Sequence, residues 1–388
     1  MPDRILNARL APFTSTIFTE MSALALRTGS VNLGQGFPDT DGPSEVVEAA
    51  VAAIRGGLNQ YAPGPGVPQL RAAVAEHQRR FYGIDLDPDT QVAITFGATE
   101  GIAASVLALC EPGDEVITLE PWYDSYAACA ALAGATRRVV TLHPPDFALD
   151  PDALARAVTP ATRMVLINTP HNPTGRVLGP DELSAIARVC VDHDLLAVTD
   201  EVYEHLVFDG RHTPLATLPG MAERTLTVSS HGKTFSFTGW KIGWVTGPAP
   251  LVAAAHVAKQ YLTFHGGTPL QHAAAVALGL PDGFYAGVAA DLRAKRDLLC
   301  AGLTEAGFTV FPPQGTFFVV TDAAPLGVTD SMEFCLSLPE RVGVVAVPMS
   351  VFYDDPSPAR TLVRFAFPKR TEVLEEGVAR LKGLASGR

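Results

Sequence analysis

Lys233 is the residue whose setting points most directly to chemistry. It lies in the segment SSHGKTFSF, directly after the strand-like run RTLTVSS, so we expect it at the carboxyl end of a strand among small and hydroxyl side chains. Partial shielding from water lowers the pKa of a lysine there, and its neutral amine can then act as a nucleophile that forms a Schiff base. Lys233 could instead be an ordinary surface lysine or a buried structural one. Its position in the sequence alone does not decide between these three roles.

Acidic and amide side chains follow two further strand-like runs. Asp200 ends LLAVTD, and Tyr203 comes three residues later. A carboxylate at such a strand end is either a turn or helix cap or a buried group that keeps a pyridine nitrogen protonated, as pyridoxal phosphate requires. Asn168 and Asn172, in NTPHNPTG after RMVLIN, are available to a phenolic oxygen and to a substrate carboxylate, although this segment could also be a simple loop.

A phosphate site and a stacking ring are predicted next to two other strands. In FGATEG, between a strand and a helix, the backbone N–H groups of Ala98 and Thr99 would open the helix, which suits a phosphate. EPWYDSY offers Trp122 and Tyr123 for stacking on a ring, and core packing is the alternative for at least one of them.

Arg364 is a charged residue inside the apolar run TLVRFAF. A strand arginine that faces solvent is the common case, whereas one that points into a cleft can bind a carboxylate through two parallel hydrogen bonds. The histidines show no metal-ligand spacing and the chain has no G-x-S-x-G motif, so the sequence predicts no metal site and gives little support to hydrolase chemistry.

Composition narrows the class of protein further. The chain has 388 residues, a formal net charge of −12, 47% hydrophobic and 18% charged residues, which is globular composition without the basic face that nucleic acid or an anionic membrane needs. The five cysteines are scattered, no apolar run approaches the length of a membrane span, and the N-terminal segment has no apolar core of a secretory signal. We therefore expect a cytoplasmic protein that binds neither nucleic acid nor membrane.

The elements that position these residues predict an α/β fold. From about residue 90, short apolar strand-like runs alternate with helical stretches such as 180–194, which indicates a mostly parallel sheet covered on both faces. Beyond residue 280, a long helical stretch (284–306) and several β runs indicate a smaller α+β domain. We predict a large domain over 40–280 and a small one made of 1–39 and 281–388. Because ligands of such sheets bind at the carboxyl ends of the strands, the functional site is expected where the strand-end residues named above lie.

The ordered set of motifs resembles the pyridoxal phosphate (PLP)-dependent aminotransferases of the aspartate aminotransferase fold type, over about residues 10–384. The resemblance rests on GATEG, EPWYDSY, N-x-x-x-NPTG, D-x-x-Y, S-x-x-K and V-R-F. NLGQGFPD, NQYAPGPG, GKTFSFTGWKIGW and FHGGTP are similar to the kynurenine/glutamine transaminase branch, and EFCLSLPERVGVVAVPMSVFYDDP is similar to actinobacterial N-succinyldiaminopimelate aminotransferases. It implies the PLP-dependent transferase fold type I.

The resemblance also implies roles at matching positions. Lys233 would bind the cofactor covalently, Asp200 would pair with its ring nitrogen, Tyr203 and Asn172 would contact its phenolic oxygen, and Tyr123 would stack on its ring. Ala98, Thr99, Ser230 and Lys241 would hold the phosphate, and Arg364, Asn172 and the backbone at Gly36 would bind the substrate α-carboxylate. Tyr61, Phe264 and His265 would reach the site from the second subunit of a homodimer, with Phe18 at the pocket mouth. His231 and Phe18 depart from the branch, which more often has a small residue and Trp there.

The implied activity is transfer of an amino group between an L-amino acid and a 2-oxo acid by a ping-pong mechanism. The aromatic residues suggest an aromatic, sulfur-containing, glutamine or kynurenine side chain on the donor. Two alternatives use the same residues, an N-succinyl-LL-diaminopimelate aminotransferase of lysine biosynthesis and a cysteine-conjugate β-lyase. A PLP-binding sensor fused to a DNA-binding domain is disfavoured, since fewer than 35 residues precede NLGQGFPD.

Overall fold

A computed structural model describes residues 6–13 and 16–386 of the chain. Its strands are, in chain order, β1 (Val31–Asn32), β2 (Val92–Thr95), β3 (Glu115–Glu120), β4 (Thr136–Thr141), β5 (Thr162–Asn168), β6 (Leu196–Asp200), β7 (Thr225–Ser230), β8 (Gly243–Thr246), β9 (Thr309–Phe311), β10 (Phe318–Asp322), β11 (Val344–Val345), β12 (Val347–Pro348) and β13 (Leu362–Ala366).

Helices separate most of these strands. They are α1 (Ile17–Thr28), α2 (Ser44–Arg55), α3 (Pro68–Tyr82), α4 (Gly97–Leu109), α5 (Ser125–Ala133), α6 (Pro151–Ala157), α7 (Pro180–Asp192), α8 (His231–Thr234), α9 (Ala249–Gln260), α10 (Thr268–Leu278), α11 (Asp282–Glu305), α12 (Ser331–Val342), α13 (Thr371–Leu381) and α14 (Gly383–Ser386).

Seven strands form the central sheet, in the order β2-β8-β7-β6-β5-β3-β4. Every neighbouring pair is parallel except the two that involve β8, which runs antiparallel to β7 and to β2. The inner strands are buried on both faces, which explains why their sequences are continuous apolar runs rather than alternating ones. The predicted α/β class with a mostly parallel central sheet is therefore confirmed.

The reversed strand β8 brings its amino end to the edge where the other strands have their carboxyl ends. Gly243, at its start, pairs with Ser230 at the end of β7 and with Thr95 at the end of β2. The loop that precedes β8 therefore joins the same edge, and it carries Lys241.

The C-terminal strands build a separate antiparallel sheet, in the order β12-β13-β10-β9. The short strand β1 pairs in parallel with β11, with Val31 opposite Val344, so the N-terminal segment packs against the C-terminal part. Apolar side chains of β1, α1, α11, β10, β13 and α13 share one core. The exact division at residues 39/40 and 280/281 stays a prediction.

Within residues 6–13 and 16–386, no single helix is long and apolar enough to cross a bilayer. The pair α10–α11, which is bent by 91°, has sufficient length and apolar composition only when its two helices are taken together.

Candidate active site

A cavity of about 300 Å³ opens at the carboxyl edge of the central sheet. It is bordered by the ends of β5, β6 and β7, by the start of α4 and, on the opposite side, by β10 and β13. Thirteen of the residues singled out in the sequence line it, namely Phe18, Gly36, Ala98, Thr99, Tyr123, Asn168, Asn172, Asp200, Tyr203, Ser230, Lys233, Lys241 and Arg364.

Lys233 lies on the one-turn helix α8, which follows β7 without an intervening loop. Its ammonium nitrogen is 5.6 Å from the ring centres of both Tyr203 and Phe317. Burial lowers the pKa of Lys233 to about 8, and the Asp200 carboxylate opposes that shift only in part. An appreciable fraction of this amine is therefore neutral, and nucleophilic, near neutral pH.

Asp200 is buried at the end of β6, and both its side chain and its backbone carbonyl accept hydrogen bonds. Its Oδ2 accepts a hydrogen bond of 2.7 Å from the hydroxyl of Tyr126, and its backbone carbonyl accepts one of 2.7 Å from the side-chain amide of Asn168. Burial raises the pKa of Asp200 to about 6, while the Tyr126 hydrogen bond lowers it. The carboxyl group is thus mainly ionised at pH 7 but lies close to its titration range.

The start of α4 is open toward Lys241. A Cβ atom on Gly97, whose φ is +73°, would lie 3.0 Å from the Lys241 Nζ, and a Cβ on Gly243 would lie 2.8 Å from the Ala98 nitrogen. Both glycines are needed to leave the first turn of the helix accessible, and its leading N–H groups have no partner within the helix. Among the described residues Lys241 has no ion-pair partner, so a cation and free amides meet at this end of the cavity.

Arg364 lies on β13 and is 1% exposed. Its Nη1 donates to Asn172 Oδ1 at 3.0 Å, its Nη2 donates to the Gly34 carbonyl at 3.2 Å, and its Nε has no hydrogen-bond partner among the described residues. The guanidinium lies 4.1 Å from the ring centre of Phe318. Burial lowers its pKa to about 10, so it stays charged without a carboxylate partner and points into the cavity rather than into solvent.

Tyr61, Phe264 and His265 do not line the cavity of this chain. They form a cluster of their own, with ring centres 5.3–5.9 Å apart, and His265 Nε2 accepts a hydrogen bond of 2.5 Å from the Ala62 nitrogen. Tyr61 is 78% exposed. Their placement at a surface is what a contribution to a second subunit would require.

Two further residues named from the sequence lie beside the cavity, not in it. Trp122 is buried in the core with the Arg137 guanidinium 3.6 Å from its ring centre, whereas the adjacent Tyr123 lines the cavity. His231 is fully buried and stacks on Phe237 at 5.8 Å, and the burial lowers its pKa to about 4.

Sequence reasoning missed Tyr126 and Phe318. Tyr126 is in the EPWYDSY motif but 74 residues from the carboxylate that it contacts, and Phe318 starts β10, where the apolar pattern indicates only a core strand. A polar tip on an otherwise buried aromatic residue is the one signal that could have singled out Tyr126.

The residues that meet in the cavity fit PLP. The donor set matches its groups: an amine of lowered pKa for the aldehyde carbon, a buried carboxylate for the ring nitrogen, and free amides with a cation for the phosphate. The space that Cβ atoms on Gly97 and Gly243 would fill is left open next to Lys241 and the Ala98 nitrogen, where the phosphate would lie.

Comparison with known proteins agrees with this geometry. The family model of aminotransferase class I and II matches residues 28–381. The chain is 56% identical to a probable N-succinyldiaminopimelate aminotransferase of Mycobacterium tuberculosis, over 97% of this chain and 98% of that protein. It is 34% identical to a kynurenine–oxoglutarate transaminase of Dictyostelium discoideum, with coverage of 95% and 94%.

A solved structure is also similar over nearly the whole chain. The methionine aminotransferase YbdL of Escherichia coli superposes with a TM-score of 0.94 at 40% identity, covering 98% of this chain and 99% of the other. A family match of this extent, together with relatives of this identity, identifies the fold as that of the aspartate aminotransferase type. The chain therefore belongs to the class I and II aminotransferases, a family of PLP-dependent enzymes, and is an aminotransferase.

Proposed function

We propose that this aminotransferase binds PLP in the cavity at the carboxyl edge of the central sheet and uses Lys233 as its catalytic base. The observation that carries the proposal is the convergence of four groups, Lys233, Asp200, Lys241 and Arg364, on one cavity. PLP, when bound, supplies the electron sink that stabilises charge on the substrate α-carbon.

Each group of the chain has a part in that reaction. Lys233, whose pKa burial lowers to about 8, would lose its proton readily enough to hold the cofactor covalently, and it would accept and return the substrate α-proton. Asp200 would hold the proton on the ring nitrogen, and Tyr126 keeps the Asp200 carboxylate ionised and oriented. Tyr203 and Asn172 would contact the phenolic oxygen, and Tyr123 would pack against the ring.

The two ends of the site hold anions. Ala98, Thr99, Ser230 and Lys241 bind the phosphate at the start of α4. Arg364 binds the substrate α-carboxylate with Asn172 and the backbone at Gly36. A side chain at Gly36 would overlap the Phe318 ring at 2.4 Å, so the backbone approaches the site closely at that position.

We propose that the donor carries a neutral apolar, aromatic or sulfur-containing side chain. The cations that line the described part of the cavity are Lys233, Lys241 and Arg364, and each already has a role. No further cation is left there for a distal carboxylate, whereas Phe18, Phe37 and Phe318 supply apolar walls.

N-succinyl-LL-diaminopimelate is the second candidate donor. It is favoured by the 56% identity to the mycobacterial protein of that name over nearly the whole chain. Its distal carboxylates would need a partner from outside the cavity lining described above, and His265 of a second subunit is a basic side chain that the dimer proposal offers.

A screen of single amino acids separates the two candidates. The PLP-loaded enzyme is mixed with one donor at a time and conversion of the cofactor to its amino form is followed by absorbance. Methionine, phenylalanine, kynurenine or glutamine as the fastest donor supports the neutral class, and N-succinyl-LL-diaminopimelate with glutamate as the only donors supports the second candidate. Lys233→Ala is the control, and turnover by that variant would contradict the whole assignment.

We further propose a homodimer whose two active sites are shared. Exposed apolar side chains cluster around Tyr61 and Phe264, including Tyr261 (82% exposed) and Val257, and such a patch is typical of an interaction surface. Tyr61, Phe264 and His265 would complete the partner's cavity from this surface.

Subunit mixing tests the shared site. Tyr61→Ala and Lys233→Ala are each expected to be nearly inactive, but chains refolded or co-expressed together form mixed dimers with one intact site each. Activity should then return to about one quarter of wild type, since about half of the dimers are mixed and half of their sites are complete. No recovery would show that Tyr61 acts within its own chain.

We also propose the domain division 40–280 against 1–39 with 281–388, and a cytoplasmic location. The pairing of β1 with β11 supports this division, because it joins the two terminal segments.

The state of the cysteines supports the cytoplasmic location. All five cysteines are free, which is usual in a reducing compartment.

A further inference from the structure

A second cluster of ionisable side chains lies apart from the cavity. His77 is on α3, while Glu204 and His205 follow the end of β6. One nitrogen from each histidine and one carboxylate oxygen of Glu204 lie within 4.8 Å of one another. None of the three lines the cavity, and the proposed transamination uses none of them.

The two rings face each other in an unusual way. His77 Nε2 and His205 Nε2 are 2.7 Å apart, so each ring directs the same atom at a common point. Glu204 is nine-tenths buried, and its Oε1 accepts a 2.7 Å hydrogen bond from Ser229. The Tyr82 hydroxyl is a further polar neighbour, and the Glu204 carboxylate helps to raise the pKa of that phenol. A buried carboxylate is costly unless donors or cations compensate its charge.

The surroundings increase that need for positive charge. Glu201, 1% exposed, is also buried nearby and shares a 2.7 Å contact with His212. The rings of Phe81 and Tyr285 pack against His205 with their centres 4.6 and 4.4 Å from its own, so one side of the cluster is apolar and electrostatic interactions there are stronger than in water. Arg79 and Arg80, the cations that follow His77 in the sequence, are engaged by Glu76 and Asp282.

We propose that His77, Glu204 and His205 bind a divalent transition-metal ion, with zinc as the ion that this donor set favours. Two imidazole nitrogens and one carboxylate form a zinc ligand set that leaves a fourth position for water. A tetrahedral zinc ion holds its ligand atoms roughly 3.3 Å apart, so the two rings need to separate only slightly from their present contact.

Neighbouring groups support the histidine ligands. His77 Nδ1 lies beside the buried Gln78 side-chain amide, which can accept the ring N–H when its oxygen faces the ring. His205 is only partly buried, so an ion can enter from its side. The sequence gives no hint of the site, because His77 and His205 are 128 residues apart.

The test measures metal binding to the PLP-loaded enzyme rather than its activity. The protein is stripped with a chelator, titrated with Zn²⁺ against a chromophoric competitor and assayed by elemental analysis. We expect about one zinc per chain. His77→Gln should weaken the affinity at least about tenfold, and His143→Gln, which changes an exposed histidine, should leave it unchanged.

Two further measurements keep the result decisive if His77→Gln folds poorly. Glu204→Gln preserves the shape of the side chain and should also weaken zinc binding, and X-ray absorption of the loaded wild type should show two imidazole ligands. A stripped wild type that takes up no zinc at micromolar free metal would overturn the proposal and would leave a proton shared between the two rings. Equal affinities for wild type, His77→Gln and Glu204→Gln would overturn it as well.

Discussion

The hydrogen bond from Tyr126 to Asp200 controls how easily the buried carboxylate loses its proton. Replacing Tyr126 by Phe removes the hydroxyl that donates to Asp200 Oδ2 at 2.7 Å and keeps the ring that packs in the core. The ionised form of Asp200 is then less stable, and the protonated form is favoured. We predict that Tyr126→Phe weakens PLP binding at low pH and leaves it unchanged at high pH.

The size of the effect follows from the strength of a hydrogen bond to a charged group, about 1.5–3 kcal/mol. Since one pKa unit corresponds to about 1.4 kcal/mol, the pKa of Asp200 should rise from about 6 to roughly 7–8 in the variant. PLP with a protonated ring nitrogen binds the carboxylate form, so apparent affinity falls below the pKa of that group. At pH 5.5 the variant should bind PLP roughly 8- to 80-fold more weakly than wild type, and at pH 9 the two should be about equal.

The assay is equilibrium binding of PLP to the apoenzyme between pH 5.5 and 9, read from protein fluorescence. The ratio of the two dissociation constants is the informative quantity, because titration of Lys233 and of the cofactor affects both proteins alike. Tyr353→Phe is a matched control, since its buried hydroxyl has no hydrogen-bond partner among the described residues. A ratio for Tyr126→Phe that does not change with pH would refute the reasoning, whatever its value.

Three other changes probe the remaining parts of the cavity. Arg364→Lys loses the two donors that reach Asn172 and the Gly34 carbonyl and should lower kcat/KM for amino acids about 100-fold, or about 3 kcal/mol, mainly through KM in steady-state assays. Gly97→Ala places a methyl group 3.0 Å from Lys241 Nζ and should weaken PLP binding about tenfold. Gly113→Ala is the control, because Gly113 also has a positive φ (+101°) but has no neighbour near its Cβ position, and it should leave PLP binding unchanged. The rate at which PLP binds covalently to the apoenzyme should rise with pH, with its midpoint near pH 8, and then level off. Burial lowers the pKa of Lys233 to about 8, and only the neutral amine is nucleophilic. A stopped-flow profile that is flat from pH 6 to 9 would contradict this.

The residues that the sequence identified share one property, their position relative to a strand. Asp200 and Ser230 are the last residues of apolar strands, and Lys233 follows within one turn. In a parallel sheet the carboxyl ends meet at one edge, so local sequence was enough to predict their proximity. Arg364 was recognisable because a charge inside an apolar strand must either reach solvent or serve a buried site.

Contacts between distant segments could not be predicted in the same way. Lys241 reaches the start of α4 only because β8 is antiparallel to its neighbours, a reversal that the short apolar sequence of β8 does not encode locally. The contact of Tyr126 with Asp200 depends on where α5 lies relative to the end of β6. Tyr61 lies on an exposed surface, outside the cavity of its own chain. Predicting either position requires the tertiary structure as well as the sequence.

The side chains of the segment from Asp200 to His205 point to opposite sides. Asp200 and Tyr203 face the cavity, whereas Glu204 faces Ser229 and the histidine cluster. The same division occurs at the end of β7, where Ser230 lines the cavity and its neighbour Ser229 points away, as successive residues of a strand must. An ion bound to Glu204 would therefore hold the backbone of both strand ends from behind, and so fix the positions of the carboxylate and of the turn that carries Lys233.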